Sequence, residues 1–234
     1  MAIAQPKRVK EITKSISEGD MEAAATSTIN FILDSGVNGF GPVKGAETIA
    51  DEALKHSGGD AEKAIKRIIA THTRVVGASG FVSGLGGLAT MAVAIPTDVT
   101  VFYTRATRMI AAVAHLRGYD VHSEEVRSVI AVSLIGSAGV EAMSKAGVEI
   151  GTKTAVAALK RVPGTVLTKI NKAVGFRLVT KFGTTGSINL VKVVPVAGAA
   201  VGGTINIAGI RSIAGYAKSN FPAVDPVVVP GTVV

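Results

Sequence analysis

Apolar residues recur along this chain at intervals of three and four, the period of one helix face. The cleanest case follows Asp60. There Ala64, Ile65, Ile68, Ile69 and His72 fall on one side, and Lys63, Lys66, Arg67 and Arg74 take much of the other. A second amphipathic pattern follows Pro96. Val99, Phe102, Tyr103, Ala106, Met109, Ile110, Val113 and Leu116 form its apolar side, Arg105, Arg108 and His115 its polar side, and Gly118 ends it.

The remaining elements are read from caps and breakers. Residues 1–19 are polar and mixed in charge, which predicts a frayed arm or a loosely docked first helix. Asp20 is placed to cap a helix running to Ser35 and ending at Gly36, with Glu22 in its first turn. Pro42 suits a first helical turn, and Ala46–His56 reads as a short helix stopped by Ser57-Gly58-Gly59. Ser123, followed by two glutamates, predicts one helix to Lys145 closed by Gly147. Helices over Val148–Arg161 and Thr165–Phe182 follow, the second in one or two pieces, and then a turn over Gly183–Ser187. No strand-like alternation outlasts these patterns. The fold class is all-α, a multi-helix bundle in three parts: an N-terminal arm (1–19), a helical domain (20–220) and a proline-extended tail (221–234).

Two stretches depart from the amphipathic rule. Val75–Thr97 holds 23 residues without a charge, and Val193–Ile210 holds 18. About 20 apolar residues cross a hydrocarbon layer as a helix, so spanning and burial both stay open. Glycines interrupt both runs, and Gly80, Gly84 and Gly87 in the first, with Gly198 and Gly202 in the second, are the candidate helix-packing positions. Small residues four apart let another backbone approach closely. The first run is expected to change direction around Gly77–Gly80 and to close a helical hairpin at Ile95-Pro96-Thr97-Asp98. Asp98 then falls in the first turn of the next helix, where a carboxylate offsets the free N–H groups. Arg105, seven residues on, projects from nearly the same face. The two are the candidate charged residues of the hairpin, Asp98 either as a plain cap or as a charge that orients the hairpin at a membrane boundary.

Composition narrows the chemistry. There is no cysteine, which excludes disulfides, thiolate metal sites and thiol nucleophiles. Mean hydropathy is +0.42 with only 4% aromatics, so Ala, Val, Ile and Gly carry the apolar content in thin, closely packed helices. No apolar core of signal-peptide length opens the chain, so the expected location is cytoplasmic, peripheral to or embedded in an inner membrane. His56, His72, His115 and His122 have no metal-ligand spacing, and neither a phosphate loop nor a dinucleotide fingerprint has its strand–helix context. No catalytic residue, metal or cofactor is expected.

The net charge of +8 is unevenly placed. Residues 1–150 sum to −1 and residues 151–234 to +9, and no Asp or Glu occurs between Gly151 and Val224. Such asymmetry points to an anionic partner. Nucleic acid is disfavoured, because aromatics are too few and scattered to stack bases. Basic residues interleaved with apolar ones suit anionic lipid instead, and the candidate contacts are Lys160, Arg161, Lys169, Lys172, Arg177 and Lys181.

Several of these segments together resemble the EcsC protein family. They are G-A-S-G-F-V-S-G-L-G-G-L at 77–88, I-P-T-D at 95–98, R-M-I-A-A-V-A at 108–114, G-Y-D at 118–120, L-T-K-I-N-K-A-V-G-F-R-L-V-T-K-F-G at 167–183 and V-P-V-A-G-A-A-V-G-G at 194–203. The resemblance covers roughly residues 60–220. It implies a bacterial helical protein of poorly defined activity, of a kind named from a protein encoded beside an ABC exporter, and it brings no catalytic residues. Asn206 stands where the resemblance implies Asp. The expected function is a non-enzymatic, membrane-associated scaffold or accessory protein whose basic third binds an anionic phospholipid surface. The alternative is a soluble helical domain with a buried Gly-rich core that binds a protein partner or an apolar ligand. Homo-oligomerisation is left open.

Overall fold

Ten helices make up the described part of the chain. The computed structural model describes the backbone of residues 6–85, 87–148, 155–183 and 195–223, and side chains over these ranges except at 6, 7, 9, 10, 13, 79–85, 87–100, 181–183 and 195–202. In order the helices are α1 (Pro6–Ser17), α2 (Met21–Val37), α3 (Ala46–His56), α4 (Ala61–Leu85), α5 (Gly87–Leu116), α6 (Glu124–Leu134), α7 (Ser137–Lys145), α8 (Ala155–Leu159), α9 (Gly164–Gly183) and α10 (Pro195–Asn220). No strand occurs among the described residues, and Phe40 and Val43 form one isolated bridge. The all-α bundle expected from the pattern is the fold.

Local chemistry sets three of the starts. Asp20 accepts from the Ala23 N–H at 2.9 Å, Asp60 from that of Lys63 at 2.9 Å, and Ser123 from that of Val126 at 3.4 Å. Each side chain satisfies one of the amide donors that a helix start leaves without a partner.

The centre of the bundle is α5. Every residue from Ala106 to Ala114 is buried, on all sides of the helix. A helix buried all round must touch neighbours in every direction, and α5 packs on α2, α3, α4, α6, α9 and α10. The amphipathic apolar side holds at Tyr103, Ala106, Met109, Ile110 and Val113. Arg108, expected on the polar side, is buried as well, because α2 covers that face.

Pairings along the helices give their directions. Arg117 meets Glu62 at 2.6 Å, and His72 senses the charges of Arg105 and Arg108, so α4 and α5 are antiparallel. Phe102 faces Gly209 and Tyr119 stacks edge-on against Phe221 at 5.2 Å, so α5 and α10 run parallel. Gly77 of α4 lies against Ile207 of α10, where an added Cβ would come within 2.8 Å of the isoleucine side chain.

Several boundaries differ from expectation. α4 continues past Gly77–Gly80 to Leu85, and the next helix already begins at Gly87 rather than after 95–98. The α5 backbone runs through Pro96, so Asp98 is interior to a helix instead of opening one, and its side chain lies outside the described residues. Gly36 lies within α2, packed on Thr107, rather than ending it. Pro42 sits in the turn between Phe40 and Val43, and Gly45 caps α3. The helix expected from Ser123 to Lys145 is split at Gly136, whose φ of 61° is open to glycine and costly for other residues. Of the expected Val148–Arg161 helix, the described residues are helical only in α8, and α9 is the single-piece form of the two expected. The turn expected at Gly183–Ser187 falls mostly outside them. α1 docks on α2 and is held by an Arg8–Asp34 ion pair of 3.1 Å.

Candidate functional site

The exposed face of α9 carries two of the six candidate cations, Lys169 and Arg177. Leu167, Ile170, Val174, Leu178 and Val179 are buried against the bundle, which turns Thr165, Lys169, Ala173, Phe176 and Arg177 outward. Gly175 fixes the depth of this docking. A Cβ there would strike the backbone carbonyl of Ala25, so α9 lies on α2 with no side chain between them. The next residue, Phe176, is 50% exposed, with Arg177 beside it and Lys169 two turns before. Lys160 and Arg161 are exposed in the turn that precedes α9.

This face is less uniformly basic than the chain order suggests. Lys172 is half-buried and forms an ion pair with Glu22 of α2. Glu141 of α7 is held below the usual carboxylate range, mainly by its bond to Lys145, and Arg177 adds to the effect. Glu124 stands near Gly164, at the start of α9. A sequence segment without acids is thus folded against acids from earlier helices. Lys160, Arg161, Lys169 and Arg177 remain outside any ion pair among the described residues. The side chain of Lys181 lies outside the described residues.

The other candidate positions fare differently. Gly80, Gly84, Gly87, Gly198 and Gly202 lie in α4, α5 and α10, but their surroundings are outside the described residues. Among the described side chains, close helix packing at glycine occurs at Gly36, Gly77 and Gly175, which the four-residue spacing did not single out. Arg105 is partly exposed and lies near Arg108 and His72. Asn206 is half-buried in α10.

His72 packs as a core residue. Its Nδ1–H donates to the Ile68 carbonyl at 2.9 Å, a partner that can only accept. Burial lowers its pKa to about 4, against the pull of that bond and helped by Arg108 and Arg105. His115 reaches Asp51 at 3.2 Å and Glu47 at 3.7 Å, and His122 reaches Glu47 at 3.4 Å, tying α3 to the end of α5. Among the described residues no group of three or more such side chains is placed to hold a metal ion. A cleft of about 180 Å³ lined by Asn30, Glu124, Arg127, Thr168 and Asn171 is too small for an ordinary organic ligand. No helix among the described residues is long and apolar enough to cross a membrane.

The model of one family, described as the EcsC protein family, matches residues 6–222. That is nearly the whole chain, and wider than the segments that carry the resemblance in the sequence. No match is found among curated proteins or among solved structures.

Proposed function

The chain belongs to the EcsC protein family, and for this member we propose a non-enzymatic role as a helical module that docks on an anionic phospholipid surface at the inner face of a membrane. The observation that carries the reading is Phe176, half exposed among cations on the outer face of α9. An exposed aromatic with basic neighbours suits the boundary between head groups and hydrocarbon. Four unpaired cations there contribute about 1 kcal/mol each, and burying the phenyl ring adds about 2 kcal/mol. A total of about 6 kcal/mol corresponds to reversible binding in the tens of micromolar.

Flotation with vesicles containing anionic lipid tests this. The wild-type protein floats, and Lys169→Glu combined with Arg177→Glu sharply reduces the floating fraction while far-UV circular dichroism stays unchanged. Undiminished flotation of that folded variant removes α9 as the docking face.

A further inference from the structure

We infer that the Gly-rich ends of α4, α5 and α10 enter the hydrocarbon of an anionic bilayer from one side, stopped at a collar formed by Arg74, Arg105 and Arg211. This rests on the reading that the partner is an anionic bilayer, and adds a deeper contact to the one made by α9. The argument starts from register. The α4–α5 pairing that sets Glu62 against Arg117 and His72 near Arg105 puts Arg74 level with Arg105. The α5–α10 pairing of Phe102 with Gly209 puts Arg211 close to the same level, and Gly77 against Ile207 agrees with both. At 1.5 Å per residue the three cations lie within about one helical turn along the axis.

Beyond that level the charges stop. α4 has none from Val75 to its end at Leu85, α5 none from Gly87 to Thr97, and α10 none from Pro195 to Ile210. Within these three helices Asp98 is the single charge past the collar. Arg74 and Arg211 are exposed, Arg105 is partly so, and none of the three is in an ion pair among the described residues. Just beyond them Val75 is 37% and Ile205 56% exposed, apolar side chains held in water at the start of the uncharged ends.

A ring of unpaired arginines under an uncharged tip matches the layering of a leaflet, with phosphate outside and hydrocarbon within. The lengths agree with entry from one side. The three ends run eleven residues from Arg74 to Leu85, eighteen from Arg105 back to Gly87 and sixteen from Arg211 back to Pro195, about 16, 27 and 24 Å of helix, each shorter than a 30 Å hydrocarbon core.

The absence of cysteine makes the test direct. A polarity-sensitive fluorophore is attached to Val75→Cys, Ile205→Cys and, as a control on exposed α3 away from both the tip and α9, Lys55→Cys. Vesicles with and without 30% phosphatidylglycerol, the anionic set carrying brominated acyl chains, are then added. The expected result is a blue shift and at least twofold quenching by bromine at positions 75 and 205, with no change at 55. Arg74→Glu with Arg211→Glu abolishes that quenching. Protein that floats with its 75 and 205 labels still in water overturns this inference and leaves the α9 reading intact, whereas failure to float at all overturns both. A blue shift without vesicles that grows with protein concentration assigns the tip to contact between copies of the chain and also overturns it.

Discussion

Arg108, in the C-terminal half of α5, donates from Nη2 to the carbonyl oxygen of Ser35 in the last turn of α2, at 3.3 Å. The guanidinium is almost wholly buried, and its Nε has no partner among the described residues. Burial, with Arg105 adding to it, lowers the Arg108 pKa to about 10. What faces the charge is the negative end of the α2 dipole, worth at most about 2 kcal/mol in a partly buried geometry. A buried charge compensated this weakly is tolerated rather than stabilising. Arg108→Met, which keeps the packed stem, is expected to change stability by no more than about 1 kcal/mol. Arg108→Ala removes the stem too and costs about 2–3 kcal/mol. Urea midpoints of the two variants check this, and a methionine variant as unstable as the alanine one contradicts it.

Gly175 and Gly215 make a matched pair. Both are helical, but a Cβ at Gly175 meets the Ala25 carbonyl, whereas a Cβ at Gly215 meets nothing within 4 Å. Glycine to alanine in an open helical site gains up to about 1 kcal/mol. Forcing two helix backbones apart costs about 1–3 kcal/mol. Gly215→Ala should therefore raise Tm by about 2–4 °C and Gly175→Ala lower it by a similar or larger amount. Shifts of the same sign in thermal melts would mean that α9 does not rest on the α2 backbone.

His72 gives a pH dependence of definite sign. Its imidazole is neutral in the folded protein, with a pKa lowered by burial to about 4 from 6.5. The unfolded chain takes up that proton first as pH falls, so stability drops between about pH 6.5 and pH 4. The loss from this group reaches about 2 kcal/mol at pH 5. His72→Gln keeps a donor for the Ile68 carbonyl and does not titrate. The wild-type minus variant difference in unfolding free energy is expected to shrink by that amount from pH 7 to pH 5, and a difference independent of pH would show that the buried imidazole is already protonated or already exposed.

Lys172 separates sequence charge from surface charge. It pairs with Glu22, while Lys169 and Arg177 have no such partner among the described residues. Lys172→Gln should weaken vesicle binding less than Lys169→Gln, and Glu22→Gln should strengthen it by freeing the ammonium group. Dissociation constants from vesicle co-sedimentation decide the order, and Lys172 ranking as the most damaging of the three would reverse it.

What was legible in the sequence was mostly local. Asp20, Asp60 and Ser123 cap helices because capping needs only residues three apart, and the apolar side of α5 follows from its own period. Arg108 was placed on the polar side because its burial is decided by α2, more than seventy residues earlier. The Glu22–Lys172 pair is about twice as remote in the chain, so a count of charges over residues 151–234 overstates the free positive charge. The break at Gly136 was hidden because the apolar period continues through Val132 and Ile135. Pro96 reads in the sequence as a helix start, yet α5 already begins at Gly87 and runs through it, because a proline bends or interrupts a helix without having to end it. Gly175 left one signal, a lone glycine between Val174 and Phe176 inside a helical pattern.

The central claim is that this fold recognises an anionic lipid surface by charge and apolar contact together. The most direct measurement is flotation of the unmodified protein on vesicles of neutral lipid and of 30% anionic lipid, each at low and high salt. The account predicts binding that requires the anionic lipid and is weakened, though not eliminated, by salt. Equal binding to neutral vesicles, or none to either, would contradict it.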